Sequence, residues 1–177
     1  MGNNPVKTQA LFISRKTATR NLPNNNSLMV ANVPVKWSEN VKYLGMLIDR
    51  RLTFKDHINY SIEKFNKTFK LLYSLLHRKS KLSITNKLLL YILILRSLLI
   101  YASPVWFNSA KTHIKKLQVA QNKCLKIIYD KPWLYSTKKL SKISDVPLVI
   151  DQIIKIRKKF KYKLCLVQNS IINQLIL

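Results

Sequence analysis

The sequence predicts an α+β protein, mostly α, with a small antiparallel β region over about residues 8–49 and a basic helical bundle over about 54–168. Three observations predict it. Short β-branched and apolar runs crowd the first fifty residues. From Thr53 onward, apolar residues recur at spacings of three and four, the helical period. The chain has 177 residues and is 47% hydrophobic, enough for one core with a small appendage. The expected division is 1–50 for the β part and 51–177 for the helical part.

The elements follow in order. "TQALFIS" (8–14) is an apolar run suited to a strand, and "SRKTATRNLPNNN" (14–26) reads as a basic, Asn-rich loop. "LMVANVPVKW" (28–37) has the pattern of a hairpin around Asn32. "VKYLGMLID" (41–49) predicts one further strand, apolar on both faces and so covered on both. Thr53 with Asp56 three residues on resembles a capping box. Beyond it, Ile58, Ile62, Phe65, Phe69, Leu72 and Leu76 form one helical stripe. Ser83 is placed to cap a second, very apolar helix over about 84–102, which "SPVW" (103–106) breaks. A third helix is expected over about 111–129, with Ile114, Leu117, Gln121, Cys124 and Ile128 on one side and Pro132 as its stop. "STKKLSKISDV" (136–146) is a short helix. Pro147 opens a last helix anchored by Ile150, Ile153, Ile154 and Phe160.

Charge narrows the function. Thirty-two Lys and Arg face seven Asp and Glu, a formal net charge of +25. Such an excess repels itself in a compact state unless polyanions or counterions screen it. Nucleic acid is the leading partner and an anionic membrane surface the second. "LLLYILILRSLLIYA" (88–102) is interrupted by Arg96 and falls short of ~20 clean apolar residues, so it reads as a buried core helix and not as a membrane span. The polar N-terminus carries no secretory signal, and Val6 stands where a myristoylation signal needs Ser or Thr. An intracellular place, nucleus or cytoplasm, is expected. Cys124 and Cys165 form no metal or disulfide pattern and read as two buried thiols.

Catalytic constellations are missing. Two-metal phosphoryl transfer needs converging carboxylates. The seven acids are Glu39, Asp49, Asp56, Glu63, Asp130, Asp145 and Asp151, and no two are adjacent. Asp49 could be a carboxylate at a strand end, but local pairing with Arg50 or Arg51 explains it as well. His57, His77 and His113 have no Cys or acid at ligand spacing. No glycine-rich phosphate loop exists. No metal site and no cofactor of this chain are expected, and the residues alone describe a binding module.

The order of the segments adds a resemblance. "NPVKTQALFISRK" (4–16), "WSENVKYLGMLIDRRLTFKDHI" (37–58), "LLYSLLHRKSKLSITNKLLLY" (71–91), "YASPVWFNSAKTHIKKLQVAQNKCLKII" (101–128) and "DKPW" (130–133) follow one another. Together they resemble the C-terminal part of a jockey-type non-LTR retrotransposon reverse transcriptase, an RNA-directed DNA polymerase. The resemblance implies that 1–50 holds the last palm strands and primer grip, and that 51–177 is thumb and helical extension. It implies Lys7 as an assisting residue near the incoming nucleotide, with an ordinary surface lysine as the alternative. "VKYLG" resembles the primer-grip strand, whose glycine lets a primer end lie against the backbone. Candidate nucleic-acid contacts are thus Lys42, Tyr43, Leu44 and Gly45, with Arg50, Arg51, Lys64, Lys67, Lys70, Lys115 and Lys116 toward phosphates. For each lysine alone, a solvated helix face is the competing reading.

Departures qualify the resemblance. The family's Ala-Asp-Asp turn is absent, as are the earlier palm and fingers motifs. Ser97 stands where the family usually has proline, and Ile92 where it is often polar. Mg²⁺ is expected only for the complete parent polymerase. Expected partners are an RNA template, a DNA primer and the missing palm and fingers, with no membrane. A repurposed basic nucleic-acid-binding protein, a cationic membrane-associated protein and a remnant without activity remain the competing readings.

Overall fold

The structure is a computed structural model, and it describes residues 8–14, 28–30, 32–35 and 37–167. The expectations for Lys7 and for the loop over 15–26 lie outside the described residues. The chain divides into two compact units, Met1–His57 and Ile58–Leu177.

The first unit is built from paired short strands. Strands β1 (Ala10–Leu11) and β4 (Trp37–Ser38) pair in parallel over two residues each. β2 (Leu28–Val30) and β3 (Val33–Val35) form the antiparallel hairpin expected around Asn32, whose φ of 61° provides the turn. "VKYLGMLID" departs from expectation. It is not one strand but a second hairpin, β5 (Asn40–Tyr43) and β6 (Met46–Asp49), paired from Asn40↔Asp49 to Tyr43↔Met46. Leu44 and Gly45 form its two-residue loop, with φ of 47° and 78°. Two positive φ values define a type I′ turn, whose twist matches that of the flanking strands. Nor are both faces covered: Met46 is buried, whereas Lys42, Tyr43 and Leu44 are exposed.

The second unit is helical. α1 (Lys55–Leu76) starts in the first unit and continues into this one. Of its expected stripe, Ile58, Phe65, Phe69 and Leu76 are buried, and Ile62 and Leu72 are half-buried. Phe65 and Phe69 stack at 5.9 Å, and Tyr73 meets Phe69 edge-on. Ser83 caps α2 (Ile84–Leu90) by accepting from the Asn86 amide at 3.3 Å. A π-helical stretch, Tyr91–Leu95, then joins α2 to α3 (Arg96–Ile100). Ser97 sits in α3 with its hydroxyl donating to the Ile94 carbonyl at 2.7 Å, so the helical path continues through it. Tyr91, Leu95 and Leu99 are fully buried. The opposite face is not: Leu93 is 69% exposed, and Leu89 and Ile94 are exposed too. The expectation of a wholly buried helix is corrected on that face.

α4 (Ser103–Trp106) is a single turn that buries Trp106, whose indole N–H donates to the Tyr101 carbonyl at 2.7 Å. α5 (Lys111–Ile128) buries the predicted side Ile114, Leu117, Gln121, Cys124 and Ile128. Its stop is not Pro132. Asp130, at φ 49°, takes the left-handed position after the helix, and the Lys131 amide closes back on the Lys126 carbonyl at 2.8 Å. That is a Schellman ending, and Pro132 only follows it. α6 (Thr137–Ser144) and α7 (Val149–Cys165) pack on α5. In α7 only part of the expected anchor is buried. Val149 and Ile153 are inside, while Ile150, Ile154 and Phe160 are exposed. Cys124 is buried, which pushes its thiol pKa up, but Cys165 is exposed, so the reading of two buried thiols is corrected.

A buried polar chain ties the helices together. The Tyr91 hydroxyl donates to Gln121 Oε1 at 2.6 Å, and Gln121 Nε2 donates to the Pro147 carbonyl at 3.0 Å. Burial first, and Cys124 second, raise the Tyr91 pKa, so the phenol stays a neutral donor. Buried polar atoms linked this way fix the relative register of the segments that hold them.

Candidate nucleic-acid interface

Asp49, the acid at the end of β6, has a local task. One carboxylate oxygen accepts the Phe54 amide at 2.7 Å, and the other accepts the Thr53 amide at 2.9 Å and the Thr53 hydroxyl at 3.0 Å. Leu52 and Phe54 on either side of Thr53 have φ of 53° and 56°, a conformation unfavourable for side chains bearing Cβ. Asp49 holds this strained turn into α1. Partial burial, the largest single influence, pushes its carboxyl pKa up. The bonds from Thr53 and Phe54 together outweigh burial and leave it below the ordinary value. The expected capping box is half present: the Thr53 hydroxyl accepts the Lys55 amide at 3.4 Å, but Asp56 takes the Asn40 side-chain amide at 3.1 Å, and Asp49 braces the turn before the helix. Among the described residues no group of three or more His, Cys, Asp and Glu could hold a metal ion.

The structure separates the predicted contact residues into groups. Lys42, Tyr43, Leu44 and Gly45 lie at the tip of the β5–β6 hairpin, where Tyr43 is 62% and Leu44 75% exposed. Gly45 is thus needed for the positive φ of the turn, not to thin a strand face. Arg50 and Arg51 follow β6, and Arg51 is exposed. Lys64, Lys67 and Lys70 are exposed on α1, with Lys64 Nζ 4.5 Å from the centre of the Tyr60 ring. Successive members are rotated by about 60° around the helix, so they fan out instead of aligning.

Lys115 and Lys116 part company, because neighbours on a helix point about 100° apart. Lys115, with Lys111, borders an apolar cavity of about 280 Å³ walled by Ile114, Leu148 and Ile150. Lys116 faces a larger groove of about 670 Å³ between α1 and α5. α1 contributes Asn59, Ile62, Glu63 and Asn66, and α5 contributes Lys116, Val119, Ala120 and Lys123. The two helices run side by side in the same direction: Lys116 Nζ donates to Asn59 Oδ1 at 3.4 Å, and further along Lys123 Nζ lies 6.0 Å from the Phe69 ring centre. Lys116 and Lys123 are seven residues apart, hence on one face and about 10 Å apart along the axis.

Trp133 also lines this groove and is 73% exposed. Its position is held from three directions. The Schellman ending of α5 sets the chain path. The Tyr135 amide closes a turn onto the Pro132 carbonyl at 3.0 Å. Lys126 Nζ donates to the Trp133 carbonyl and lies 5.4 Å from the ring centre. Trp133, Lys123, Asn59 and Asn66 were not among the sequence candidates. The signal for Trp133 was the DKPW segment itself, an aromatic placed outside any helix directly behind a proline.

Comparison with known proteins follows the same direction. The chain is 35% identical over 134 residues to the RNA-directed DNA polymerase from mobile element jockey of Drosophila funebris, over 76% of this chain. It is 32% identical over 134 residues to the jockey polymerase of Drosophila melanogaster, again over 76% of this chain. Over three quarters of its length the chain is similar to one part of the jockey-type RNA-directed DNA polymerases of mobile elements. A further relative, "Probable RNA-directed DNA polymerase from transposon X-element" of Drosophila melanogaster, is 33% identical over 135 residues and 76% of this chain. The chain spans about 15% of the length of these curated relatives. No family model and no solved structure matches it. Among the described residues, no helix is long and apolar enough to cross a membrane.

Proposed function

We propose that this jockey-type segment holds the template–primer of a reverse transcriptase and does not itself carry the Mg²⁺-binding carboxylates. The observation that carries the reading is the α1–α5 groove: two lysines two turns apart on one face, with a positioned tryptophan beside them, in a chain of net charge +25. Lysines spaced along a groove neutralise successive phosphates without reading bases. Lys116 and Lys123 act within the groove, and Lys64, Lys67, Lys70 and Lys115 widen the positive field around it. In the first unit, Tyr43 and Leu44 offer an apolar hairpin tip to the primer end, with Lys42, Arg50 and Arg51 toward its phosphates. Lys7 assists at the nucleotide in the assembled enzyme. The 1–50 region acts as palm edge and primer grip, and 51–177 as thumb and extension. RNA template, DNA primer and the polymerase's palm and fingers are the partners, and nucleus or cytoplasm is the place of work.

The division of labour follows from Asp49. The acid best placed by sequence to be a catalyst has both carboxylate oxygens committed to Thr53 and Phe54. This supports the reading that the catalytic metal ions are held by carboxylates from elsewhere in the polymerase. Two assays on the purified chain test the reading. Primer extension on an RNA template with Mg²⁺ and deoxynucleotides is expected to give no incorporation. An RNA–DNA hybrid is expected to compete the chain off anionic vesicles. Sustained incorporation, or retention on vesicles in excess hybrid, would sink it.

A further inference from the structure

We infer that the α1–α5 groove is a single-strand site, in which Trp133 stacks on an unpaired base while Lys116 and Lys123 take the flanking phosphates. The inference rests on the nucleic-acid-holding reading above and goes beyond it by naming the ligand's state.

The argument begins with Trp133. A tryptophan 73% exposed is unusual for so large an apolar ring, and here it is not on a loose tail. Lys126 and the Pro132–Tyr135 turn hold its backbone in place. Lys126 also places a cation near the ring, which adds an electrostatic attraction to the π-face. A ring on a backbone held in advance loses less freedom when a base stacks on it than one on a loose tail. Both faces of a base are available only in a single strand or at a splayed end, because within a duplex each base is already stacked on its neighbours and only the outermost pairs show one face.

The dimensions agree. The groove, at about 670 Å³, lies within the roughly 300–1,000 Å³ range of sites that enclose a small ligand. It suits one or two nucleotides and is not a channel for a whole duplex. Its chemistry also fits an unpaired strand. Val119, Ala120 and Ile62 make an apolar floor for a base. Asn66 and Asn59 bring amides that can donate and accept along a base edge or to a sugar hydroxyl. Glu63 is the single acid in the wall. It repels phosphate and accepts from base amino groups, so it orients the strand with phosphates toward α5 and bases toward α1.

The test uses the full chain and three probes: single-stranded oligo(U) RNA and oligo(dT), each of about 12 nucleotides to exceed one site, and a blunt RNA–DNA hybrid. Trp133→Ala is expected to weaken both single strands roughly 5- to 150-fold, the range for loss of one stacked base. Hybrid affinity is expected to change by less than about twofold, and the salt slope to stay the same, because no phosphate contact is lost. Trp133→Phe keeps a stacking face and should recover most of the affinity. Lys123→Gln should weaken both single strands and reduce their salt slope by about 0.7. Tryptophan fluorescence of the parent should be quenched by the single strands, and Trp133→Phe should remove that quenching. Comparing the two single strands separates RNA from DNA. Unchanged single-strand binding by Trp133→Ala overturns the inference while leaving duplex holding intact. Single-strand binding without any hybrid binding supports it and overturns the holding reading. Failure to bind any probe overturns both.

Discussion

Replacing Asp49 by Asn would change one oxygen of the side chain to an amide and test the reading of this acid as structural. The carboxylate accepts three hydrogen bonds, at 2.7, 2.9 and 3.0 Å, from Phe54 and Thr53. Asparagine has the same shape but one acceptor oxygen, so either the Phe54 amide or the Thr53 pair loses its partner. Losing such a bond at a partly exposed site costs roughly 0.5–1.5 kcal/mol. The loss falls on a turn that already places Leu52 and Phe54 at positive φ. Local opening should therefore become roughly 2- to 13-fold more frequent. Native-state hydrogen exchange at the Thr53 and Phe54 amides reads this directly, with α5 amides as the internal control. The pH dependence has a definite sign. The folded carboxyl pKa lies below the ordinary aspartate value. Its contribution is thus fully present above the unfolded pKa and is lost as pH falls through the folded one. The difference between parent and variant should shrink below about pH 4. Unchanged exchange at neutral pH would refute the argument, as would a difference that grew toward acid.

Three further outcomes follow from particular contacts. Tyr91→Phe leaves buried Gln121 Oε1 without its 2.6 Å donor and should cost about 1–3 kcal/mol in urea unfolding, with nucleic-acid affinity of the folded protein unchanged. Leu44→Asn relieves a leucine held at φ 47° and should stabilise the hairpin by about 1 kcal/mol, read as slower exchange of the Met46 amide, while weakening capture of a primer end. Lys116→Gln with Lys123→Gln should flatten the single strands' salt dependence by about 1.4 and leave the hybrid's nearly unchanged, whereas changing Lys115 with Lys111, which border the other cavity, should leave the groove's single-strand binding nearly unaltered.

What was legible in the sequence was mostly local. The α1 stripe, the Ser83 cap and the buried side of α5 rest on spacings of three and four residues, and those spacings survive in any tertiary setting. The β5–β6 hairpin was missed because Leu-Gly is not the usual Asn-Gly turn signal and an unbroken apolar run hides a two-residue loop. The end of α5 was assigned to Pro132 because a left-handed Asp130 has no signature beyond its residue type. In α7, Ile150, Ile154 and Phe160 have a core-like pattern, but a pattern cannot say whether another element covers them. The π-stretch at Tyr91–Leu95 has no sequence mark at all. The groove illustrates the limit best. Lys116 and Lys123 can be seen on one helical face, yet their role depends on α1 lying alongside, some fifty residues away in the chain. Trp133 joins them only through the turn that follows Asp130.

The central claim is that this segment holds nucleic acid through its phosphates, and the salt dependence of its affinity for an RNA–DNA hybrid tests it most directly. Equilibrium titrations across a range of salt concentrations should give a straight line of log K against log salt. With the cations of the hairpin, the turn after it and α1 contributing together, the expected slope is about −4 or steeper. A slope near zero, or an affinity for hybrid that never exceeds that for anionic vesicles, would contradict the account.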